Sequence, residues 1–218
     1  MQVWNACGND DYGKIVKLLI LTGQRREEIG GLRRSEIDLD QRLIRLPPAR
    51  CKNGKTMIKR KIAFHIVPLS AEAMAIIEAI PRGTSDFVFG PTGCGFKGWS
   101  AAKKALDARI AACAGKPLAK WLIHELRHTV ATHLVESRRD APGEKPYSLC
   151  APHIAEAIRN HLSGHKGGIK GRYNHATYLE EKREALDLWA AHAARLVSRP
   201  VAGAAKQAAS RSSSVTAA

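Results

Sequence analysis

Leu122-Ile123-His124-Glu125-Leu126-Arg127-His128-Thr129 decides how the rest of this chain is read. It lies within Trp121 to Val135, where Leu122, Leu126, Val130 and Leu134 recur at four-residue steps and Ile123 and Val135 flank them. That spacing predicts an amphipathic helix with one buried stripe. His124 and Arg127 are three apart and project from one face of such a helix. A histidine beside an arginine suits a phosphate, because a guanidinium clamps oxygens and an imidazole moves a proton. An isolated H-x-x-R is more often a solvated helix face. Its meaning therefore depends on the rest of the chain.

The 218 residues suffice for one good core, or for one domain with a ragged end. Lys and Arg total 35 against 20 Asp and Glu, a formal charge of +15. A surplus of that size favours a polyanionic partner, nucleic acid before anionic membrane. No apolar run reaches the length of a membrane span and the start lacks a signal-peptide pattern, so a cytoplasmic, nucleoid-associated protein is expected. The five cysteines, Cys7, Cys51, Cys94, Cys113 and Cys150, are scattered, odd in number and without CxxC pairing. They predict a reduced setting without structural zinc.

Around that stretch the pattern alternates short helices with a few strands. Residues 1–11 read as a frayed start, and Tyr12 to Leu21 as a buried helix broken by Thr22-Gly23. Arg25 to Leu32 is a short helix with acids in its first turn. Glu36–Asp40 and Arg42–Leu46 form a hairpin, and Asn53-Gly54 signals a tight turn in a basic segment. Phe64–Val67 is a third strand. Ser70 caps the next helix, and Phe87–Phe89 is a short strand or buried turn. Ser100 caps a helix to about Cys113. Ser137–Tyr147 is an exposed loop, Pro152 starts a helix that ends before Ser163, and a final helix runs from Thr177 to about Val197. The Ala/Ser-rich residues 199–218 read as disordered. The expected fold class is mainly α with a small antiparallel β-sheet, in one domain over residues 12–198.

Other segments carry the same chemistry as the opening stretch. Arg25 starts a helix with Glu28 one turn on, and an arginine held by a carboxylate is pre-oriented for bidentate phosphate contact. Lys52 precedes Asn53-Gly54, where a mobile ammonium could reach a ligand. His161 and His165 flank Ser163-Gly164, and Tyr173 stands between Arg172 and Asn174. Each alone is ordinary: a surface ion pair, a solvated charge, a polar loop, half-buried packing.

Jointly, Thr22-Gly23-Gln24-Arg25-Arg26-Glu27-Glu28-Ile29, Lys52-Asn53-Gly54, Val67-Pro68-Leu69-Ser70, His124–Thr129, and Asn160-His161 through Gly171-Arg172-Tyr173-Asn174 resemble, in order, the catalytic phrases of the tyrosine recombinases, the phage integrase family. The trailing Tyr178–Leu186 and Trp189-Ala190 resemble the integrases of prophages and genomic islands. The resemblance implies the tyrosine recombinase catalytic fold and site-specific cleavage and rejoining of double-stranded DNA, without metal or other cofactor. It implies self-association on DNA as a synaptic tetramer. Tyr173 would attack a phosphodiester to give a 3′-phosphotyrosyl link. Arg25 and Arg127 would hold the non-bridging oxygens, and Lys52 would protonate the leaving 5′-oxygen. His124 would serve as acid–base or hydrogen-bond partner to the phosphate. Glu28 would support Arg25, while Arg50, Lys55 and Arg172 are expected to contact DNA.

Departures from the family pattern bear on two points. The family's second histidine usually falls about nine residues before the tyrosine; His165 is eight before Tyr173 and His161 is twelve before. The Asn-His-x-Ser-Gly phrase favours His161, with His165 the near alternative. Full-length relatives carry an N-terminal helical domain that clamps the DNA, whereas this chain opens almost directly on the catalytic phrases, as a fragment or with its clamp supplied elsewhere. Two further readings are a DNA-binding remnant without turnover and a type IB topoisomerase. From another class, His124-Glu125-Leu126-Arg127-His128 matches the zinc-hydrolase pattern H-E-x-x-H. A catalytic zinc needs a third protein ligand; Ala131 and Leu134 stand where the metzincin extension has its glycine and histidine, which leaves a later glutamate, such as Glu144 or Glu156, as the candidate. That reading leaves Arg25, Lys52 and Tyr173 unexplained.

Overall fold

Helix α2 (Asp11–Thr22) runs through the middle of the core, and both of its ends are set by sequence. The Asp10 side chain accepts the Gly13 N–H at 2.7 Å, satisfying one of the orphan donors of the first turn. At the other end Gly23 adopts φ 65, and its N–H returns to the Leu19 carbonyl at 2.9 Å. Ile15, Leu18, Leu19 and Leu21 are buried along it. The computed structural model describes residues 2–90, 93–136, 138, 146–161 and 177–198.

Where a frayed start is expected, Gln2–Ala6 forms α1 and packs on α6 (Trp99–Ala114), with Ala6 in a cluster with Val16, Leu106 and Ile110. After α2 come α3 (Arg26–Gly30), a 3-10 turn (Arg34–Glu36) and strands β1 (Ile37–Asp38) and β2 (Leu43–Leu46). β3 (His65–Pro68) completes a three-stranded antiparallel sheet of order β1-β2-β3, with Ile44 opposite Val67 and Leu46 opposite His65. Ser70 caps α5 (Ala71–Glu78) by accepting the Ala73 N–H, as its sequence predicts. α7 (Glu125–Val135), α8 (Pro152–Ile158, with Pro at its first position) and α9 (Leu179–Ser198) pack together around Leu134, Ile154, Ile158, Leu186 and Trp189. α9 is tied to the rest by two side chains: Lys182 donates to the Ile66 carbonyl of β3, and the Trp189 indole to the Ile20 carbonyl of α2. The fold class is mainly α with a small antiparallel sheet, as the sequence indicates.

Three further local expectations differ from the structure. Ser100 does not cap α6, which starts one residue earlier, after Gly98 in the left-handed conformation. The opening stretch is not helical throughout: α7 begins at Glu125, and Leu122 is 60% exposed in the turn before it. That turn is built from i→i+3 bonds, with the Glu125 carboxylate accepting the Leu122 N–H. The buried stripe therefore starts further along, at Val130 and Leu134.

The tight turn signalled by Asn53-Gly54 falls one residue earlier, closed by the Gly54 N–H on the Cys51 carbonyl at 3.0 Å, and Gly54 itself opens a helix. The β2–β3 connection holds a 3-10 turn (Pro48–Arg50) and the short helix α4 (Gly54–Lys59), which starts at Gly54. Glycine is needed there for closeness rather than for a left-handed turn. A Cβ on Gly54 would lie 2.0 Å from the Pro48 carbonyl oxygen, which is backbone and cannot swing aside. Gly54→Ala should therefore cost about 1–3 kcal/mol, the usual size for forced overpacking. An unchanged denaturation midpoint would contradict that contact.

Candidate functional site

Arg25 occupies the cap position of α3, and Glu28 holds it from two directions. The Arg25 backbone N–H donates to Glu28 Oε2 and its Nη1 to Oε1, both at 2.9 Å. Glu28 is buried, so the ion pair is shielded on the carboxylate side and the guanidinium is fixed rather than swept through solvent. The Arg25–Glu28 spacing seen in the sequence thus corresponds to a formed pair.

Arg127 lies on α7 with only 6% exposure. Its Nη1 donates to the Gly23 carbonyl at 2.7 Å and its Nη2 to the Arg159 carbonyl. Gly23 is required twice here: its φ is left-handed, and a Cβ would stand 3.0 Å from Val130 on the turn of α7 that carries Arg127. Burial, with help from the Arg25 and Arg159 charges, pushes the Arg127 guanidinium down to about 9, and Glu28 opposes that trend. The group remains charged at neutral pH. It is a cation held where its neighbours disfavour it and where an anion would be welcome.

His124 sits at the cap position of α7, exposed, with its ring edge-on to His128 at 5.1 Å between centroids. Burial, then the charges of His128, Arg127, Arg25 and Lys52, lower its pKa. All four neighbours act on one ring, so the segments of the opening stretch, Arg25 and Lys52 converge. Arg25, Lys52 and His124 line one open cleft of about 710 Å³, whose apolar wall includes Trp99, Trp121 and Ile123. Two cations stack on that wall, Arg26 over Trp99 and Lys103 over Trp121.

Lys52 is exposed, but its turn is anchored rather than swinging. On one side Arg50 donates to Glu36 Oε1 at 2.9 Å and to the Glu28 carbonyl at 2.9 Å. On the other, Asn53 Nδ2 donates to the Asn160 carbonyl at 2.6 Å. Arg50 thus serves the internal structure, and its guanidinium ties the Lys52 turn to α3. Lys55 is exposed on α4. His161 follows α8, exposed, with Nδ1 3.8 Å from Glu156. His165, Arg172 and Tyr173 lie outside the described residues. Among the described residues, Glu156 included, no group of three or more His, Cys, Asp or Glu side chains could hold a metal ion; Glu144 lies outside the described residues.

Three residues of this neighbourhood are not singled out by the motifs. Gln24 is 1% exposed and His65 5%, and their side chains meet at 2.9 Å. Asn53 is the third. For His65 a signal exists in the sequence: in the strand His65–Pro68 it shares a face with the buried Val67, and a polar residue on a buried face demands a partner. For Gln24 and Asn53 there is no such signal.

The chain belongs to the phage integrase family: the family's model matches residues 5–142. Its relatives include the integrase of Shigella phage Sf6 and the prophage integrase IntS of Escherichia coli (strain K12). Each is 29% identical over 181 residues, which is 80% of this chain and 40% of the relative. The chain spans about two fifths of the length of these curated relatives. No solved structure matches it. No helix among the described residues is long and apolar enough to cross a membrane.

Proposed function

We propose that this chain carries the strand-cleaving and rejoining chemistry of a site-specific DNA recombinase, with double-stranded DNA as substrate and residues 12–198 as the catalytic unit. The observation that carries the reading is the convergence of Arg25, Lys52 and His124 on one cleft, with the buried Arg127 charge acting on the same ring. Within the family this set serves phosphoryl transfer. The Tyr173 oxygen forms a bond to phosphorus as the bond to the 5′-oxygen breaks, leaving a 3′-phosphotyrosyl link and a 5′-hydroxyl. Arg25 and Arg127 stabilise the extra charge on the non-bridging oxygens. Lys52 gives the proton that the departing 5′-oxygen needs. His124, its pKa lowered by burial and then by its cationic neighbours, can donate or accept at the phosphate. His161 or His165 supplies the second histidine. Attack by the freed 5′-hydroxyl reverses the step, so no external energy source is consumed. Arg172 and Lys55 add phosphate contacts, and assembly of a synaptic tetramer follows on DNA, in the nucleoid.

The test is to incubate the chain with supercoiled plasmid and with a nicked duplex that traps the covalent intermediate. Relaxation together with a denaturation-resistant protein–DNA adduct supports the proposal, and both surviving in EDTA removes any metal route. Absence of both, with DNA binding retained, would make the chain a binding module only.

Lys52 has its own signature. A strand with sulfur in place of the bridging 5′-oxygen leaves as a thiolate and needs no proton. Lys52→Ala should be slow on ordinary DNA and near wild type on the sulfur strand, whereas Arg127→Ala should be slow on both. Equal defects of Lys52→Ala on the two substrates would reduce Lys52 to a phosphate contact and shift the acid role to Lys55.

A further inference from the structure

The last carbonyls of α8 and the residues after it have no partner within the helix, as at any helix C-terminus. Here three successive ones are each taken by a side chain from a different segment of the cleft. Ile158 O accepts from Gln24 Nε2 at 2.9 Å, Arg159 O accepts from Arg127 Nη2, and Asn160 O accepts from Asn53 Nδ2 at 2.6 Å. Gln24 directly precedes Arg25, and Asn53 directly follows Lys52. The Asn160 side chain, in turn, is buried against Met57 Sδ at 3.2 Å, and its backbone takes φ 51 to send the chain into His161.

The orientation of the Gln24 amide is also fixed. Its Nε2 donates to both Thr22 O, at 2.8 Å, and Ile158 O, which uses both N–H bonds. Its Oε1 faces His65 Nε2 at 2.9 Å, so that nitrogen carries a proton and donates. His65 stands on β3 and Gln24 on the α2–α3 connection, so a flipped amide would face two carbonyls with a third oxygen. The network therefore has one arrangement.

We infer that Gln24, oriented by His65, and Asn53 are positioning residues that lock the end of α8, and His161 directly after it, in register with Arg25, Lys52 and Arg127. This rests on the strand-transfer reading for its catalytic consequence. The lock itself is a property of the fold. Its design is economical in one respect: the same carbonyls that terminate α8 report the position of every cationic segment at once. A displacement of any one of the three takes a donor from a buried or part-buried carbonyl, a cost that couples the three contacts.

The experiment uses the full chain and two nearly isosteric variants, Gln24→Met and Gln24→Glu. Methionine fills the space without donating, while glutamate places a second oxygen against Thr22 O and Ile158 O. Single-turnover cleavage at saturating DNA should fall about tenfold in Gln24→Met and further in Gln24→Glu, with DNA affinity little changed, all at a temperature where both remain folded. Amide hydrogen exchange at Asn160 and His161 should quicken in the same order. Wild-type cleavage rates in both variants, or cleavage and affinity falling together, would overturn the positioning role. If the wild-type chain forms no adduct, the strand-transfer reading fails on its own, and exchange at Asn160 and His161 still decides the lock: unchanged exchange in both variants refutes it.

Discussion

Tyr173→Phe should abolish the covalent protein–DNA adduct and plasmid relaxation while leaving DNA affinity nearly intact. Only a hydroxyl is removed, and a single neutral hydrogen bond contributes roughly 1 kcal/mol to a ground-state complex. In the proposed mechanism the same oxygen bonds to phosphorus, so chemistry without it has no first step. Binding should persist because the attraction is spread over the basic surplus, 35 Lys and Arg against 20 Asp and Glu. Denaturing electrophoresis of the trapped nicked-substrate complex reads the adduct, and fluorescence anisotropy reads the affinity. An adduct that survives the substitution would move the nucleophile elsewhere. Tyr178 is the first place to look, although its ring is engaged edge-on with His153 at 5.3 Å and its backbone is held at φ 49.

Much of the fold is legible in the sequence because the strongest signals are local. The Thr22-Gly23 break, the Ser70 cap and Pro152 at a helix start each act through bonds within one turn, and all three stand where the pattern puts them. The strands β2 and β3 are legible for the same reason, since alternation is a property of neighbours. What escapes is whatever depends on a distant approach. Gly54 looks like the second residue of a tight turn, yet its requirement comes from the Pro48 carbonyl across the connection. Leu122 fits the four-residue repeat perfectly well, but the turn that precedes α7 leaves it in solvent.

The candidate site divides in the same way. The Arg25–Glu28 pair is one helical turn and can be read from spacing. The convergence of Arg25, Lys52 and His124 cannot, because about 100 residues separate the first from the last; only the family's order of phrases suggests it. Arg50 shows the opposite case. Read as a contact for DNA, it is occupied by Glu36 and by the carbonyls of α3, which makes it part of the frame that holds Lys52. A charge count treats such an arginine like any other. Its partners, which distinguish it, are 14 to 23 positions away.

Arg127→Ala should slow cleavage by about two to three orders of magnitude, the usual loss when one preorganised contact to developing charge is removed. Arg127 is buried, its own neighbours Arg25 and Arg159 repel it, and its pKa is pushed down to about 9. The fold keeps it there through the Gly23 and Arg159 carbonyls, which accept two of the five N–H bonds of the guanidinium. A cation installed against such opposition gains most when negative charge grows beside it, which in the proposed mechanism happens in the transition state more than in the bound substrate. Removing it should therefore depress the single-turnover rate far more than affinity. Arg127→Lys should recover little, because one ammonium cannot donate to two carbonyls and a phosphate with the geometry of a planar fork. The controls are thermal melts, since one buried and one part-buried carbonyl lose donors in Arg127→Ala, and stability falls by about 1–3 kcal/mol for the buried one if water does not replace the guanidinium. Rates are therefore compared well below both midpoints. A lysine variant that cleaves at close to the wild-type rate would mean that Arg127 contributes charge without geometry, and the clamp would then rest on Arg25 alone.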